Sequence, residues 1–131
     1  MTIYHYTCNH GREALGNAGM VLPIADWEPR AAAKLAQSPY PDLALISWFT
    51  DLDVPIAEAL GLTRATILCD RTKYRYRVID DIAVTPWIRS PHRRRLRDLE
   101  RADGAMPMHW YVSTEPVHVV LDISPPVSRI A

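Results

Sequence analysis

The stretch IYHYTCNHGREALGNAGMVLP, Ile3–Pro23, contains three short elements in succession. Its first residues are rich in β-branched and aromatic side chains, which favour a strand. Asn9 can then cap a helix, and Gly19 is placed to terminate it. We therefore predict a strand, a helix and a second strand, over Thr2–Thr7, Gly11–Ala18 and Met20–Ile24.

Two later stretches predict strands of different kinds. Leu43–Phe49, with the sequence LALISWF, is a nearly continuous apolar run, which is typical of a strand buried on both faces at the centre of a sheet. Lys73–Val78 alternates strictly, so Lys73, Arg75 and Arg77 should form one basic, solvated face. The other face, formed by Tyr74, Tyr76 and Val78, should be buried. We also expect strands at Ala65–Cys69, His109–Ser113 and Val117–Ile123, and helices at Ala31–Gln37, Pro55–Leu60 and Pro91–Ala102.

Length and composition indicate one folded α+β domain over residues 1–131, with more strand than helix. Hydrophobic residues make up 48% of the chain and charged residues 23%, which argues against intrinsic disorder. The formal net charge is zero, so a nucleic-acid or membrane partner would need a local charged patch. No apolar run reaches the roughly 20 residues that span a bilayer, and the chain does not begin with a leader-like segment. We therefore expect a cytoplasmic protein with no membrane partner.

A metal site is the first interpretation of the clustering of His5, Cys8 and His10, with Cys69 or His92 as a further ligand. Structural zinc sites usually have paired ligands at two-residue spacing on both sides of a loop, and the second pair is missing here. We therefore predict no metal. Two cysteines without a CxxC pair are also too few for a disulfide scaffold, so we expect both to be reduced.

Three blocks of sequence, taken in order, indicate a different chemistry. The strand His5–Thr7 leads into the segment Glu13–Pro23, the block Trp48–Asp51 precedes a short predicted helix, and Glu115 precedes the last long strand. Together the blocks resemble the ADP-ribosyltransferase superfamily, in particular its poly(ADP-ribose) polymerase-like and DNA-modifying toxin-like branches. The His-Tyr-Thr triplet is more similar to the toxin-like side, because polymerase-like members often have Gly after the histidine.

The resemblance implies a split β-sheet core and a site that binds NAD as a substrate. In this interpretation His5 holds a ribose hydroxyl, the main chain of Tyr6 pairs with the nicotinamide carboxamide, and Thr7 adds a hydroxyl contact. Trp48 would form an apolar wall for the nicotinamide ring. Glu115 would be the catalytic carboxylate, because cleavage of the nicotinamide–ribose bond develops positive charge on the sugar that a carboxylate stabilises.

The implied activity is that of a glycosyltransferase-class enzyme, which moves ADP-ribose from NAD to a protein or nucleic-acid acceptor. Basic side chains at Arg93–Arg97 and on the Lys73, Arg75 and Arg77 face could bind nucleic-acid phosphates. One alternative is a non-catalytic binding module on the same fold, because Pro55–Leu60 lacks the second stacking aromatic of the polymerase-like enzymes. Another is an enzyme that takes an RNA 2′-phosphate onto NAD; such enzymes use several pocket arginines, for which Arg71 alone is insufficient.

Overall fold

Seven antiparallel strands form the sheet of this protein, whose computed structural model describes residues 1–54, 56–60 and 71–122. The strands are β1 (Tyr4–Thr7), β2 (Ala18–Val21), β3 (Ser47–Thr50), β4 (Tyr74–Val78), β5 (Thr85–Pro86), β6 (Trp110–Ser113) and β7 (Val117–Leu121), and their order across the sheet is β2-β7-β4-β1-β3-β6-β5. The α-helices of the described residues are α1 (Asn9–Leu15), α2 (Ile24–Trp27), α3 (Pro29–Ala36) and α4 (Arg93–Leu96). Short 3₁₀ segments occupy Pro41–Leu45, Asp81–Ala83, Trp87–Arg89, Arg97–Arg101 and Pro107–His109. The predicted α+β class is confirmed.

The sheet is divided into two half-sheets that meet at one place. The first half-sheet contains β2, β7, β4 and β1, and the second contains β3, β6 and β5. Between β1 and β3, whose residues are all described, Tyr4 opposite Thr50 is the one pair in register. In contrast, β1 pairs with β4 along the whole of Tyr4–Thr7. We call the Tyr4–Thr50 contact the joint, and the gap beyond it, where the β1–β3 ladder does not continue, the wedge.

The main hydrophobic core lies on one face of the first half-sheet, which we call the inner face. Strand alternation turns Tyr76 and Val78 of β4 and Val117 and Val119 of β7 to this face, and Tyr76 and Val117 are completely buried. Phe49 of the second half-sheet packs into the same cluster. Because each such side chain contributes about 1.5–3 kcal/mol when fully buried, this core holds the two half-sheets together across the wedge.

A second core lies on the opposite face of β3 and β6 and is built from tryptophans. The ring centroid of Trp48 lies 4.9 Å from that of Trp87 and 5.8 Å from that of Trp110. The buried indole N–H groups are satisfied, because Trp87 donates to Glu100 at 2.8 Å and Trp110 donates to the carbonyl of Ala59 at 2.8 Å. Losing either partner would cost about 1–3 kcal/mol, so these bonds fasten the connecting segments to the sheet.

The first predicted helix is present but is shifted toward the N-terminus. It covers Asn9–Leu15, and Gly16 forms its C-terminal cap at φ 66°, with an N–H that donates to the carbonyl of Arg12. Gly19, which was expected to end the helix, lies in β2 instead. Positive φ costs glycine almost nothing, which explains why the helix stops at Gly16.

Other predicted elements differ from the structure or lie outside its described residues. The apolar run 43–49 is not one strand: Pro41–Leu45 is a 3₁₀ segment, in which Pro41 fixes φ and lacks an N–H for a ladder, and β3 begins at Ser47. The centre of the sheet is β1 rather than β3. Pro91–Ala102 contains only the one-turn α4 and the following 3₁₀ segment. The strand predicted at Ala65–Cys69 and residue Pro55 lie outside the described residues.

The face of β4 that carries Lys73, Arg75 and Arg77 is less exposed to solvent than we expected from its charges. The side chain of Arg75 is 12% exposed and donates to Asp122 at 2.8 Å. The same guanidinium donates to the carbonyl of Asp53 at 2.9 Å and lies 4.6 Å from the centroid of the Tyr4 ring. The prediction of a solvated face was therefore wrong for Arg75, although Arg77 is exposed.

The close approach of α1 to β1 should make residue 11 intolerant of a side chain. A Cβ added to Gly11 would overlap Thr7 Oγ1 and would lie 2.9 Å from Thr7 Cβ, so rotation of the hydroxyl relieves only the first contact. We expect Gly11→Ala to lower the free energy of unfolding by about 1–3 kcal/mol, as overpacking does. Urea denaturation measures this change. In a Thr7→Ala background the same substitution should cost less, and an equal cost in both backgrounds would contradict the proposed contact.

Candidate functional site

His5 lies in the wedge, one residue beyond the joint. Its Nδ1 is 2.8 Å from the carbonyl oxygen of Trp48, and its ring centroid lies 5.4 Å from that of Phe49. A carbonyl oxygen only accepts hydrogen bonds, so Nδ1 must carry the hydrogen. The imidazole therefore links β1 to β3 where the backbone ladder between them has stopped.

Burial is the largest influence on His5 and lowers its pKa to about 4, while the hydrogen bond to Trp48 raises the pKa and the charge of Arg71 lowers it. The ring is therefore neutral at neutral pH, with its one hydrogen on Nδ1. In that tautomer Nε2 can only accept a hydrogen bond. A hydroxyl group of a ligand is a suitable donor for it.

The main chain of Tyr6 also faces the wedge. The carbonyl of Ile3 accepts from the N–H of Val78, so alternate residues of β1 direct their backbone groups to β4. Tyr4 and Tyr6 consequently direct theirs to the β3 side, where the ladder stops at the joint. The N–H and C=O of Tyr6 thus lie side by side at the edge of the wedge.

The side chains of Tyr6 and Thr7 have separate surroundings. The hydroxyl of Tyr6, on the face opposite His5, donates to the carbonyl of Leu52 at 2.8 Å. Burial raises the pKa of Tyr6 to about 12, so this hydroxyl stays protonated. Thr7 shares the inner face with His5 but is 9% exposed and packs against Gly11. A hydroxyl contact from Thr7 to a ligand therefore stays a prediction.

Trp48 contributes its carbonyl, and not its ring, to the surroundings of His5. Side chains alternate along a strand, so Trp48 and Phe49 point to opposite faces of β3. The Trp48 ring packs in the tryptophan core with Trp87, whereas the Phe49 ring lies beside His5. The aromatic wall of the wedge is Phe49, and the alternation of the sequence could have distinguished the two residues.

Glu115 is exposed in the turn between β6 and β7. Its N–H donates to Ser113 Oγ at 3.0 Å, and the same hydroxyl donates to the carbonyl of Glu115 at 3.1 Å. The carboxylate itself forms no hydrogen bond or ion pair with a residue that the structure describes. Val21 pairs with Val117, and Pro23 lines one cleft together with Thr114, the residue before Glu115. The first and third sequence blocks therefore meet at this turn.

A cleft of about 330 Å³ opens beside the same turn. Its size is at the lower end of the range for small-molecule sites. One wall is His92, whose Nδ1 donates to Asp42 Oδ2 at 3.2 Å. The residues that line the cleft are Pro23, Ala25, Asp26, Leu45, His92 and Thr114. We call it the Thr114 cleft.

The structure does not bring His5 and Glu115 into contact. His5 lies opposite Tyr76, and Tyr76 lies opposite Leu121. The connection through the second half-sheet is shorter: Trp48, whose carbonyl accepts from His5, pairs with Val112, and Glu115 follows Val112 by three residues.

Sequence reasoning missed a polar cluster just past the joint. His109 Nδ1 lies 2.6 Å from Asp51 Oδ1, and the Tyr111 hydroxyl donates to Asp51 Oδ2 at 3.2 Å. Burial, followed by the charge of Asp51, raises the pKa of Tyr111. Tyr111 and Ile3 also line a cavity of about 120 Å³. The Trp48–Asp51 block pointed to Asp51, but no spacing in the sequence connects it to His109.

The cysteine and the two histidines of the first segment do not converge on one point. Cys8 Sγ lies 3.7 Å from His10 Nδ1, whereas the ring of His5 bonds to Trp48. Over residues 1–54, 56–60 and 71–122 the structure contains no group of three or more His, Cys, Asp or Glu residues that could hold a metal ion. Cys69 lies outside these ranges. Within them, no helix is both long enough and apolar enough to cross a bilayer.

Comparison of the chain with protein-family models, with curated protein sequences and with solved structures gives no match.

Protonation of His5 should destabilise the folded protein. Its pKa is about 4 in the folded protein, against an ordinary value of 6.5, so between these pH values the unfolded chain binds more protons and stability rises with pH. We expect the free energy of unfolding to fall as the pH is lowered from 6.5 to 4, by up to about 3 kcal/mol from this residue.

Urea denaturation across this pH range measures the effect. His5→Asn keeps a donor near the position of Nδ1 and should lose this part of the pH dependence. His10→Asn, at an exposed residue, is the matched control and should retain it. A His5 variant with the pH profile of the wild type would disprove the assignment.

Proposed function

We propose that the protein binds NAD at the wedge and transfers ADP-ribose to a macromolecular acceptor, either protein or nucleic acid. In this proposal it is a cytoplasmic transferase of the glycosyltransferase class, on the toxin-like side of the ADP-ribosyltransferase superfamily. The divided sheet serves as the split core that the resemblance implies. NAD is the substrate that is cleaved, and Glu115 is the catalytic carboxylate.

The observation that carries the proposal is the set of polar groups facing the wedge. Tyr6 offers an N–H and a C=O side by side, which match the C=O and NH₂ of a planar carboxamide such as that of nicotinamide. Nε2 of His5 is an acceptor for a ribose hydroxyl. The Phe49 ring, which is 3% exposed and packs in the main core, lies beside His5 and makes this side of the wedge apolar. These are the groups that a nicotinamide riboside requires.

The surroundings of Glu115 also support the proposal. Its carboxylate is exposed and unpaired among the described residues, so it is available to a ligand. Glu115 directly follows Thr114, which lines a cleft with Pro23, the end of the segment that follows the histidine strand. A free carboxylate beside a sugar stabilises the positive charge that develops as the nicotinamide leaves.

The position of Glu115 favours a second candidate function. A transferase needs its carboxylate beside the same ribose that the wedge holds, whereas the Glu115 carboxylate is exposed in the turn between β6 and β7 and bonds to no described residue of the wedge. A binding module that holds NAD without transferring ADP-ribose needs only the wedge. The two candidates share the NAD site and differ only in the role of Glu115.

Millimolar NAD should raise the thermal unfolding temperature of the purified protein, because a ligand that binds only the folded state stabilises it. Incubation with labelled NAD and, separately, DNA, RNA and a cell extract should label one of these acceptors. We expect Glu115→Gln to lower labelling by about 100-fold or more, as the loss of a charge-stabilising group does, and to retain most of the thermal shift. His5→Asn should lose the shift.

Glu13→Gln, at an exposed residue of α1, is the matched control and should behave as the wild type. No thermal shift at millimolar NAD would refute the proposed NAD site. A shift without labelling of any acceptor would support the binding module.

A further inference from the structure

The His92–Asp42 pair is held in place at the wall of the Thr114 cleft. Asp42 Oδ2 lies 3.2 Å from His92 Nδ1, and the Asp42 and His92 side chains are 12% and 20% exposed. A carboxylate only accepts hydrogen bonds, so Nδ1 of His92 carries a hydrogen. In the neutral ring the remaining nitrogen, Nε2, is a proton acceptor. A carboxylate that fixes an imidazole in this tautomer is a recurring arrangement for general bases.

The cleft suits an acceptor group better than the phosphates of NAD. Asp26 lines the cleft, and Glu115 follows Thr114 directly, so two carboxylates would repel a diphosphate. Arg95 pairs with Asp42 at 3.7 Å, and its side chain is 76% exposed. Its positive charge therefore does not neutralise the Asp26 carboxylate in the cleft wall. Pro23 and Leu45 provide apolar surface. A hydroxyl or amino group carried on an apolar or ring-shaped body matches this lining.

We propose that the Thr114 cleft receives the acceptor and that His92 takes the proton from its nucleophilic oxygen or nitrogen. This inference rests on the proposed transferase function. As the acceptor atom bonds to C1′ of the ribose, the bond from C1′ to the nicotinamide nitrogen breaks, and its electron pair neutralises the pyridinium. The acceptor proton passes to Nε2 of His92. Asp42 is the positioning residue, because it fixes the tautomer and orientation of the ring.

The test is the turnover of etheno-NAD, in which water takes the place of the acceptor and the release of nicotinamide is measured. His92→Asn retains a donor near the Nδ1 position for Asp42 but has no Nε2. We expect its kcat to fall about 100-fold with KM changed less than about twofold, which is the lower end of the usual effect of a general base. His118→Asn, at an exposed residue of β7, is the matched control and should keep wild-type kcat.

Two further variants separate proton transfer from a merely structural role. In His92→Ala, added imidazole can occupy the space of the lost ring and should restore turnover in proportion to its concentration. Asp42→Asn should lower kcat about tenfold with little change in KM, because it allows the wrong tautomer while leaving the cleft intact.

The outcomes distinguish this inference from the proposed function. If the wild type turns over etheno-NAD and His92→Asn matches it, the inference is wrong and the transferase stands. If imidazole fails to restore His92→Ala, the proton-transfer role is also wrong. If the wild type shows no NAD-dependent turnover or labelling with any acceptor, the transferase and the role of His92 fall together.

Discussion

The one backbone pair between Tyr4 and Thr50 is the constraint on which both the core and the candidate site depend. If the β1–β3 ladder had continued, the N–H and C=O of Tyr6 would form hydrogen bonds with β3. These groups would then not be available to a ligand. Because the ladder stops, the His5 imidazole and the Phe49 ring border the gap. The interrupted β1–β3 ladder therefore weakens the sheet at this point and also creates the candidate site.

Much of the secondary structure depends on the local sequence and could therefore be predicted. The alternation of Lys73–Val78 predicted β4 and the burial of Tyr76 and Val78, and strand propensity predicted β1, β6 and β7 within a few residues. These features depend on side-chain direction along a single strand, which the sequence displays directly. Helix ends were harder: Gly19 was expected to end α1, whereas Gly16 ends it and Gly19 pairs with Val119 of β7.

The rest depends on contacts between residues that are distant in the chain. The Leu43–Phe49 run has the composition of one strand, yet the geometry of Pro41 and the packing of the tryptophan core divide it. The Asp51–His109 and Asp42–His92 bonds join segments about 50 residues apart, and no spacing in the sequence reveals them. Arg75 is likewise covered by Tyr4 of β1 and by Asp122, which follows β7.

The electrostatic difference between the wedge and the Thr114 cleft gives each a distinct chemical role. The nicotinamide ring of NAD carries a positive charge, so a protonated His5 would repel it and would also lose its acceptor nitrogen. Burial between Phe49 and the Trp48 carbonyl keeps the ring neutral, and the pKa of about 4 leaves this state stable far below neutral pH. The cleft instead combines His92 with the carboxylates of Asp42 and Asp26. The proposed transfer therefore assigns the cationic substrate to the neutral wedge and the released proton to the anionic cleft.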